Sequence, residues 1–388
     1  MQAVKAIQFH HNSKEILPVL ETFRHMVNEA IRIGKEHNIR SRYKLITTCY
    51  DEFKKYDLHT HYTLSACEVA CARLKQYRKH RKLAYVRKPH LKLDNQSFKI
   101  IDDKLRIPVK PREFICIPLK IRQYHKEFLV SQYHIGSVTI TCNTVTIAFS
   151  KQVTEVEVKG MMAFDTNEKS LVGIDTDCNN LYADLSKVAT IQHTYRLKRA
   201  KVQKRHKYCR TKCNKLLAKL RNRQTKRVEN ILHKVSKEVV LYAKAKQYAI
   251  ALEKLTYIRN SMKKGNWKGK CIRGRLNAWN FRKLQQFIEY KARWEGIPVV
   301  YVDARNTSKI CSRCGCLNRL CPSDRFLQCK QCYAIIDRHA NASINILKRA
   351  CGDRFCPERL SDEAMNQSKD GELMGEQVNS LQLLRVGR

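Results

Sequence analysis

Two short knuckles, Cys311-Ser-Arg-Cys314 and Cys329-Lys-Gln-Cys332, stand fourteen residues apart. A two-residue spacing lets both thiolates of a knuckle reach one tetrahedral ion at about 2.3 Å, and two knuckles complete a four-coordinate shell. The chemistry this predicts is a structural Zn2+ site, because no coordination position is left open for a substrate. Cys316 and Cys321 lie between the knuckles but lack the spacing. His206, Cys209 and Cys213 are also close in sequence, in a strongly basic run. They read as a solvated or phosphate-facing helix surface rather than a second metal site.

A second kind of chemistry is offered by acids at the ends of apolar strands. Asp175 follows Leu171-Val-Gly-Ile174, and Glu253 follows Tyr248-Ala-Ile-Ala-Leu252. Carboxylates in such places are rare unless paired or metal-bound. Phosphodiester cleavage needs carboxylates of this kind, since divalent ions stabilise the attacking and leaving oxygens together. Singly, each acid also fits an ordinary strand end at the surface. Together, in so basic a chain, they predict a split RNase H-like nuclease.

The charge identifies the partner class. Seventy-six Lys and Arg against 35 Asp and Glu give a formal +41 over 388 residues. Such an excess calls for a polyanion, and a long nucleic acid is the commonest one. Between Arg196 and Arg227 there are fifteen Lys or Arg and no acid. Like charges at this density repel along a helix unless a polyanion covers them. Arg196, Lys198, Arg199, Lys201, Lys204, Arg205, Lys207, Arg210 and Lys212 are therefore the expected nucleic-acid contacts. A membrane partner is not expected. No amphipathic basic helix stands apart from the fold, and no run of about eighteen apolar residues occurs. The 17 cysteines follow no secretory leader, so a reducing compartment is expected.

The elements that must position these groups follow from periodicity. Residues 1–12 read as a strand. Residues 15–90 repeat apolar positions at helical spacing (Leu17, Leu20, Phe23, Met26, Val27, Ala30) and end in a basic stretch from Lys75 to Lys88. From about 96 to 160 the period is two, which predicts a small barrel or sheet with the helical unit inserted after its first strand. The next unit begins near Leu171, with a hairpin turn at Asn179-Asn180, a long basic helix, and the strand ending at Glu253. Residues 259–275 read as a mobile loop. A helix over 277–295, a strand over 297–302 ending at Asp303, and a helix starting near Asp337 complete it. The polar tail from Gly352 reads as disordered.

At this point the chain resembles the TnpB (OrfB) family of transposon-encoded proteins, which shares its core with type V CRISPR effectors. Gly173-Ile174-Asp175 with Asn180-Leu181, and Leu252-Glu253-Lys254-Leu255, resemble the family's first and second RuvC motifs. Asn277-Ala-Trp279-Asn-Phe281, Ile288-Glu289-Tyr290-Lys291 and Gly296-Ile297 also match. So does Asn306-Thr307-Ser308-Lys309-Ile-Cys311-Ser-Arg-Cys314-Gly315, the most family-specific stretch. Asp337-Arg338-His339-Ala340-Asn341-Ala342-Ser343 resembles the third motif. The match is good over 171–350 and rests on architecture alone before that.

The resemblance implies an α/β multi-domain protein. A wedge-like β-barrel (1–12 and 96–165) would carry a helical recognition insert (13–95). An RNase H-like RuvC nuclease domain (166–305 and 335–351) would hold an inserted zinc ribbon (306–334), followed by a disordered tail (352–388). It implies an RNA-guided DNA endonuclease that uses Mg2+ or Mn2+ and acts as a monomer in the prokaryotic cytoplasm at the nucleoid. Its guide RNA would come from the transposon end. Base pairing would choose the double-stranded target while the protein reads a short flanking motif. Asp175, Glu253, His339 and Asp337 are the expected catalytic set.

His339 departs from the family, which has Asp there. Three roles are open. His339 can itself ligate metal or move a proton, with a bias toward Mn2+. Asp337, or Asp303, can reach in. Or cleavage is lost and a guided DNA-binding repressor remains. Two other classes fit less well. A transposase acting by itself needs a tyrosine beside a His-hydrophobic-His pair, which the chain lacks, and a zinc-ribbon transcription factor leaves the Asp175 and Glu253 strands without a purpose.

Overall fold

A computed structural model describes residues 1–80, 85–130, 132–255, 274, 279–321 and 324–352. The tail and nearly all of the loop at 259–275 lie outside them. Two units are distinguished, Gln2–Gln152 and Val153 onward with Met1.

In the first unit, strand β1 (Gln2–His10) pairs antiparallel with β7 (Thr144–Gln152) along its whole length. Three helices follow β1: α1 (Ile16–Glu36), α2 (Arg42–Phe53) and α3 (His61–His80). The apolar spacing seen in the sequence is the buried stripe of α1, with Leu20, Phe23, Met26, Val27 and Ala30 inside. Gly34 lets α3 come close, since a Cβ there would lie 2.5 Å from Leu74 Cδ1. Then come β2 (Leu91–Leu93), β3 (Lys99–Ile101), β4 (Lys104–Lys110), β5 (Glu113–Pro118), the short α4 (Gln123–Lys126) and β6 (His134–Ile140). They form a four-stranded sheet, β1-β7-β6-β2, and a three-stranded one, β3-β4-β5. Among the described residues no strand pairing closes these two sheets into one barrel; a single bridge, His10 to Lys120, runs from β1 to the segment after β5.

The second unit is built on five strands in the order β10-β9-β8-β11-β12. These are β8 (Gly160–Thr166), β9 (Ser170–Asp175), β10 (Asn180–Asp184), β11 (Tyr248–Glu253) and β12 (Val299–Val302). The first three form an antiparallel meander, while β11 runs parallel to both β8 and β12. Strands β8 and β11 are buried throughout, as parallel strands covered on both faces must be. The sheet therefore begins at Gly160. The boundary expected at 165/166 cuts through its central strand.

Alternation along the strands assigns the two faces. Met162, Phe164, Leu171, Ile250 and Leu252 share a core with α5 (Ser186–Arg205), α6 (Arg210–Lys246) and α7 (Phe281–Trp294). Met161, Ala163, Ile174, Ala249 and Ala251 share another with α8 (Arg338–Cys351). The single basic helix expected over 196–227 is thus a hairpin of two helices, broken at His206–Cys209. Helix α6 stops where Gln247 turns left-handed (φ 58), and β11 starts at the next residue.

The Gly-Ile-Asp segment has a structural task here. Gly173 faces Phe164 across the ladder, and a Cβ on it would lie 2.4 Å from the Phe164 ring. Asp175 is fully buried. Its carboxylate accepts from the backbone N–H of Asp177 (3.0 Å) and Asn179 (2.8 Å), from the Asn179 amide, and from the Tyr242 hydroxyl of α6 (2.6 Å). It closes the β9–β10 turn, where Cys178 is left-handed (φ 66), and ties that turn to α6. Removing a buried charged acceptor leaves several donors unmatched. Asp175→Ala is predicted to cost about 3 kcal/mol of unfolding free energy, measured by thermal and urea melts. Asp165→Ala, which leaves this turn intact, is predicted to cost much less.

Candidate active site and metal centre

Asp165 and Glu253 end adjacent parallel strands. Phe164 is in register with Leu252, so the two acids lie side by side one residue later, at the carboxyl ends of β8 and β11. Alternation puts both on the α8 face, with Ala163 and Ala251. They are 8% and 6% exposed. His339, in the first turn of α8, reaches Asp165: its Nδ1 is 2.8 Å from Asp165 Oδ2. The Asn167 amide donates to the same oxygen at 2.9 Å. Thr307 donates its hydroxyl to Glu253 Oε1 at 2.7 Å, and the Gln285 amide of α7 holds the Glu253 backbone carbonyl at 2.8 Å.

Burial and the neighbouring acid dominate the electrostatics here. Burial, and next the negative charge of Asp165, push the Glu253 carboxyl up to about 7; the Thr307 hydrogen bond and Arg349 oppose them. Like-charged buried oxygens accept a divalent ion readily, because the ion removes both the repulsion and the desolvation cost.

The structure brings together only part of the expected catalytic set. Glu253 and His339 belong to it. Asp175 does not: it pairs with Met162, three residues (about 10 Å) back along β8 from Asp165, and on the opposite face of the sheet. Asp337 is the N-cap of α8, accepting from the N–H of His339 (2.8 Å) and Ala340 (3.2 Å), with Arg325 alongside at 3.4 Å. Asp303 is exposed and accepts from the Arg305 N–H. Neither Asp165 nor Thr307 is among the site residues expected from the sequence. Thr307 lies in the most family-specific stretch, which was the available signal for it.

The four knuckle cysteines converge. Their Sγ atoms all lie within 4.8 Å of one another, with Cys311 to Cys332 at 3.7 Å and Cys314 to Cys329 at 3.4 Å. Tetrahedral Zn–S bonds of about 2.3 Å put sulfurs about 3.8 Å apart, so the set can hold such an ion. Within the cluster the thiols diverge: burial pushes Cys311 up to about 12, while the backbone amides of Cys332 and Gln331 bring Cys329 down to about 6 against its own burial. Strands β13 (Phe326–Gln328) and β14 (Ile335–Asp337) form the hairpin of this module, and β14 leads directly into α8. Asn341 and Asn345 of α8 grip the opposite entry, each donating to the carbonyls of Thr307 and Ile310. Among the described residues, no other group of three or more His, Cys, Asp or Glu has all its ligand atoms that close. His206, Cys209 and Cys213 do not form one.

The basic residues expected to meet nucleic acid lie on the α5–α6 hairpin. No residue between Tyr195 and Val228 is buried, so the hairpin leaves the core for roughly the ten residues beyond Tyr195, about 15 Å. Arg196 and Arg199 are half-buried, while Lys198, Lys201, Lys204, Arg205, Lys207, Arg210 and Lys212 are exposed.

The raised Glu253 carboxyl fixes a pH dependence. A group whose pKa is higher in the fold than in the unfolded chain stabilises the fold below its unfolded pKa, about 4.5, and loses that contribution as pH rises through 7. Metal-free protein should therefore lose about 3 kcal/mol between pH 4.5 and 8 on this account. Glu253→Gln should melt higher than wild type at pH 8 and nearly alike at pH 4.5. Melts in chelator at both pH values check this.

The chain resembles several known proteins. Residues 281–346 match the family described as Cas12f1-like, TNB domain, and residues 19–108 match the uncharacterized protein MJ0013 family. The chain is 37% identical to the TnpB-like protein MJ0751 of Methanocaldococcus jannaschii over 274 residues, which is 68% of this chain and 97% of that protein. It is 30% identical to the CRISPR-associated endodeoxyribonuclease Cas12f2 of a Micrarchaeota archaeon over 210 residues, 46% of this chain and 36% of that one. In fold it resembles Cas12f1, solved as a complex with single guide RNA and target DNA, with a TM-score of 0.58 at 13% identity over 86% of this chain and 83% of that one. No described helix is long and apolar enough to cross a membrane. With over a third of positions identical along nearly the whole of MJ0751, the chain is a member of the TnpB family, related to type V CRISPR effectors.

Proposed function

We propose that this chain is an RNA-guided DNA endonuclease whose RuvC-type site is formed by Asp165, Glu253 and His339. The observation that carries the reading is the pair of buried carboxylates at the ends of neighbouring parallel strands, beside the third-motif histidine. The strand order β10-β9-β8-β11-β12, with an antiparallel meander flanked by parallel strands, supports an RNase H-like domain. Asp165 takes the role expected of Asp175.

Bound Mg2+ or Mn2+ would supply charge for the attacking and leaving oxygens of the phosphodiester. The protein groups do the positioning. Asp165 and Glu253 hold the cation; Asn167 and Thr307 orient their oxygens; His339 stands where the family has a carboxylate. The Cys311, Cys314, Cys329 and Cys332 set would bind one structural Zn2+, keeping the loop at Thr307 and the start of α8 in register. A guide RNA from the transposon end would pair with one strand of the target. The α5–α6 hairpin would hold phosphate backbones. The first unit would act as wedge and recognition insert, reading a short flanking motif.

A guided DNA-binding repressor is the second reading. It is favoured by one observation: His339 hydrogen-bonds Asp165 where the family has a third carboxylate.

Plasmid cleavage decides between them. The protein is co-expressed with RNA transcribed across its gene's 3′ end and given a target with a randomised flank. We predict guide-dependent cuts, stronger in Mn2+ than Mg2+ because imidazole suits Mn2+ better. Asp165→Ala should abolish them, and His339→Asp should raise cutting in Mg2+. Guided binding with no cut in either metal, and a gain of cutting in His339→Asp, would establish the repressor. No guided binding would overturn both readings. Elemental analysis should find one zinc per chain, and Cys329→Ser should lose it and melt lower.

A further inference from the structure

Along the α5–α6 hairpin, from near its tip to its root, runs a groove of about 660 Å3, bordered at the root by the first turn of α7. Its volume is within the range of small-ligand sites, about 300–1,000 Å3. Four carboxamides line it: Gln203 of α5, Asn214 and Gln224 of α6, and Asn280 before α7. Its floor is apolar, with Leu217 and the buried Val228. Arg199 donates to Gln224 and holds that carboxamide in place. Glu229, the acid in the groove, is paired with Lys283 at 2.8 Å. Arg221 is exposed at the rim. Asn280 is the N-cap of α7, yet its side chain makes no capping bond. The positive end of that helix, fourteen residues long, thus meets the groove with the Asn280 amide unused by the helix.

This lining is more than a phosphate surface requires. Backbone neutralisation needs cations alone. Carboxamides carry both donors and acceptors, which match the edges of bases, and an apolar floor matches a base face. In a duplex the base edges are paired and the faces stacked, so only an unpaired nucleotide presents both.

We propose that this groove binds a short unpaired stretch of a nucleic-acid strand, its bases against the carboxamides spaced along the groove and a phosphate against Arg221 and the start of α7. The proposal rests on the reading of the chain as a nucleic-acid-binding protein, and deepens it by separating a single-strand site from the surrounding charge.

The test uses the full-length protein and short labelled oligonucleotides, single-stranded RNA, single-stranded DNA and a duplex of the same length, without any guide. Photocrosslinking with thio-substituted bases should map single strands to peptides containing Asn214 and Gln224, and the duplex elsewhere. Gln203→Leu/Asn214→Leu should weaken single-strand binding roughly tenfold or more while duplex binding changes little. The RNA and DNA arms show which strand supplies the unpaired stretch. Crosslinks spread evenly over the hairpin, or equal loss for single strands and duplex, would overturn the proposal and leave a plain polyanion surface. If the double variant does not fold, the wild-type crosslink map decides alone. Because no guide is present, failure here leaves guided cleavage standing, and failure of guided cleavage leaves this site standing.

Discussion

Two carboxylates brought together away from water repel each other and lack hydration, so such a pair needs a compensating charge or hydrogen-bond donors beside it. The parallel pairing of β8 with β11 places Asp165 and Glu253 at neighbouring strand ends, both buried. Everything around them maintains that constraint. Gln285 pins the Glu253 backbone, Thr307 and Asn167 orient single oxygens, and the first turn of α8 brings His339 to Asp165. Asp337 secures that turn by capping the helix rather than by joining the acids.

The cysteine module shares the same support. Its first knuckle follows the loop that carries Thr307, and its last strand runs into α8. Asn341 and Asn345 join the two ends through the Thr307 and Ile310 carbonyls. An ion held by the four sulfurs would stiffen both segments that reach the acids. The α5–α6 hairpin is anchored differently: only its root packs on the sheet, and the rest carries charge outward.

Much of this was legible in the sequence. The CxxC spacing predicted the sulfur cluster, and the apolar run before Glu253 predicted a buried strand. The helix starting near Asp337 is visible from the apolar positions that follow it. That Asp165, rather than Asp175, stands beside Glu253 is not legible in the sequence, for a physical reason. Ala163-Phe164-Asp165-Thr166 and Gly173-Ile174-Asp175-Thr176 both show an apolar pair followed by Asp-Thr. Local pattern does not tell which strand of the meander lies beside β11, because that neighbour is set by packing across some eighty residues. Strand β8 also carries Met161, Met162 and Ala163 rather than β-branched residues, a weak strand signal. The domain boundary was accordingly drawn through it. Once the register is known, Asp165 faces α8 and Asp175 faces α6, and their tasks separate.

The central claim is that Asp165, not Asp175, holds the cation with Glu253. Electron paramagnetic resonance of Mn2+ titrated into the wild-type chain, Asp165→Asn and Asp175→Asn tests it without any guide or substrate. The account predicts bound Mn2+ in wild type, its loss in Asp165→Asn, and its retention in Asp175→Asn at a temperature where that variant is folded. Retention in Asp165→Asn with loss in folded Asp175→Asn would contradict it.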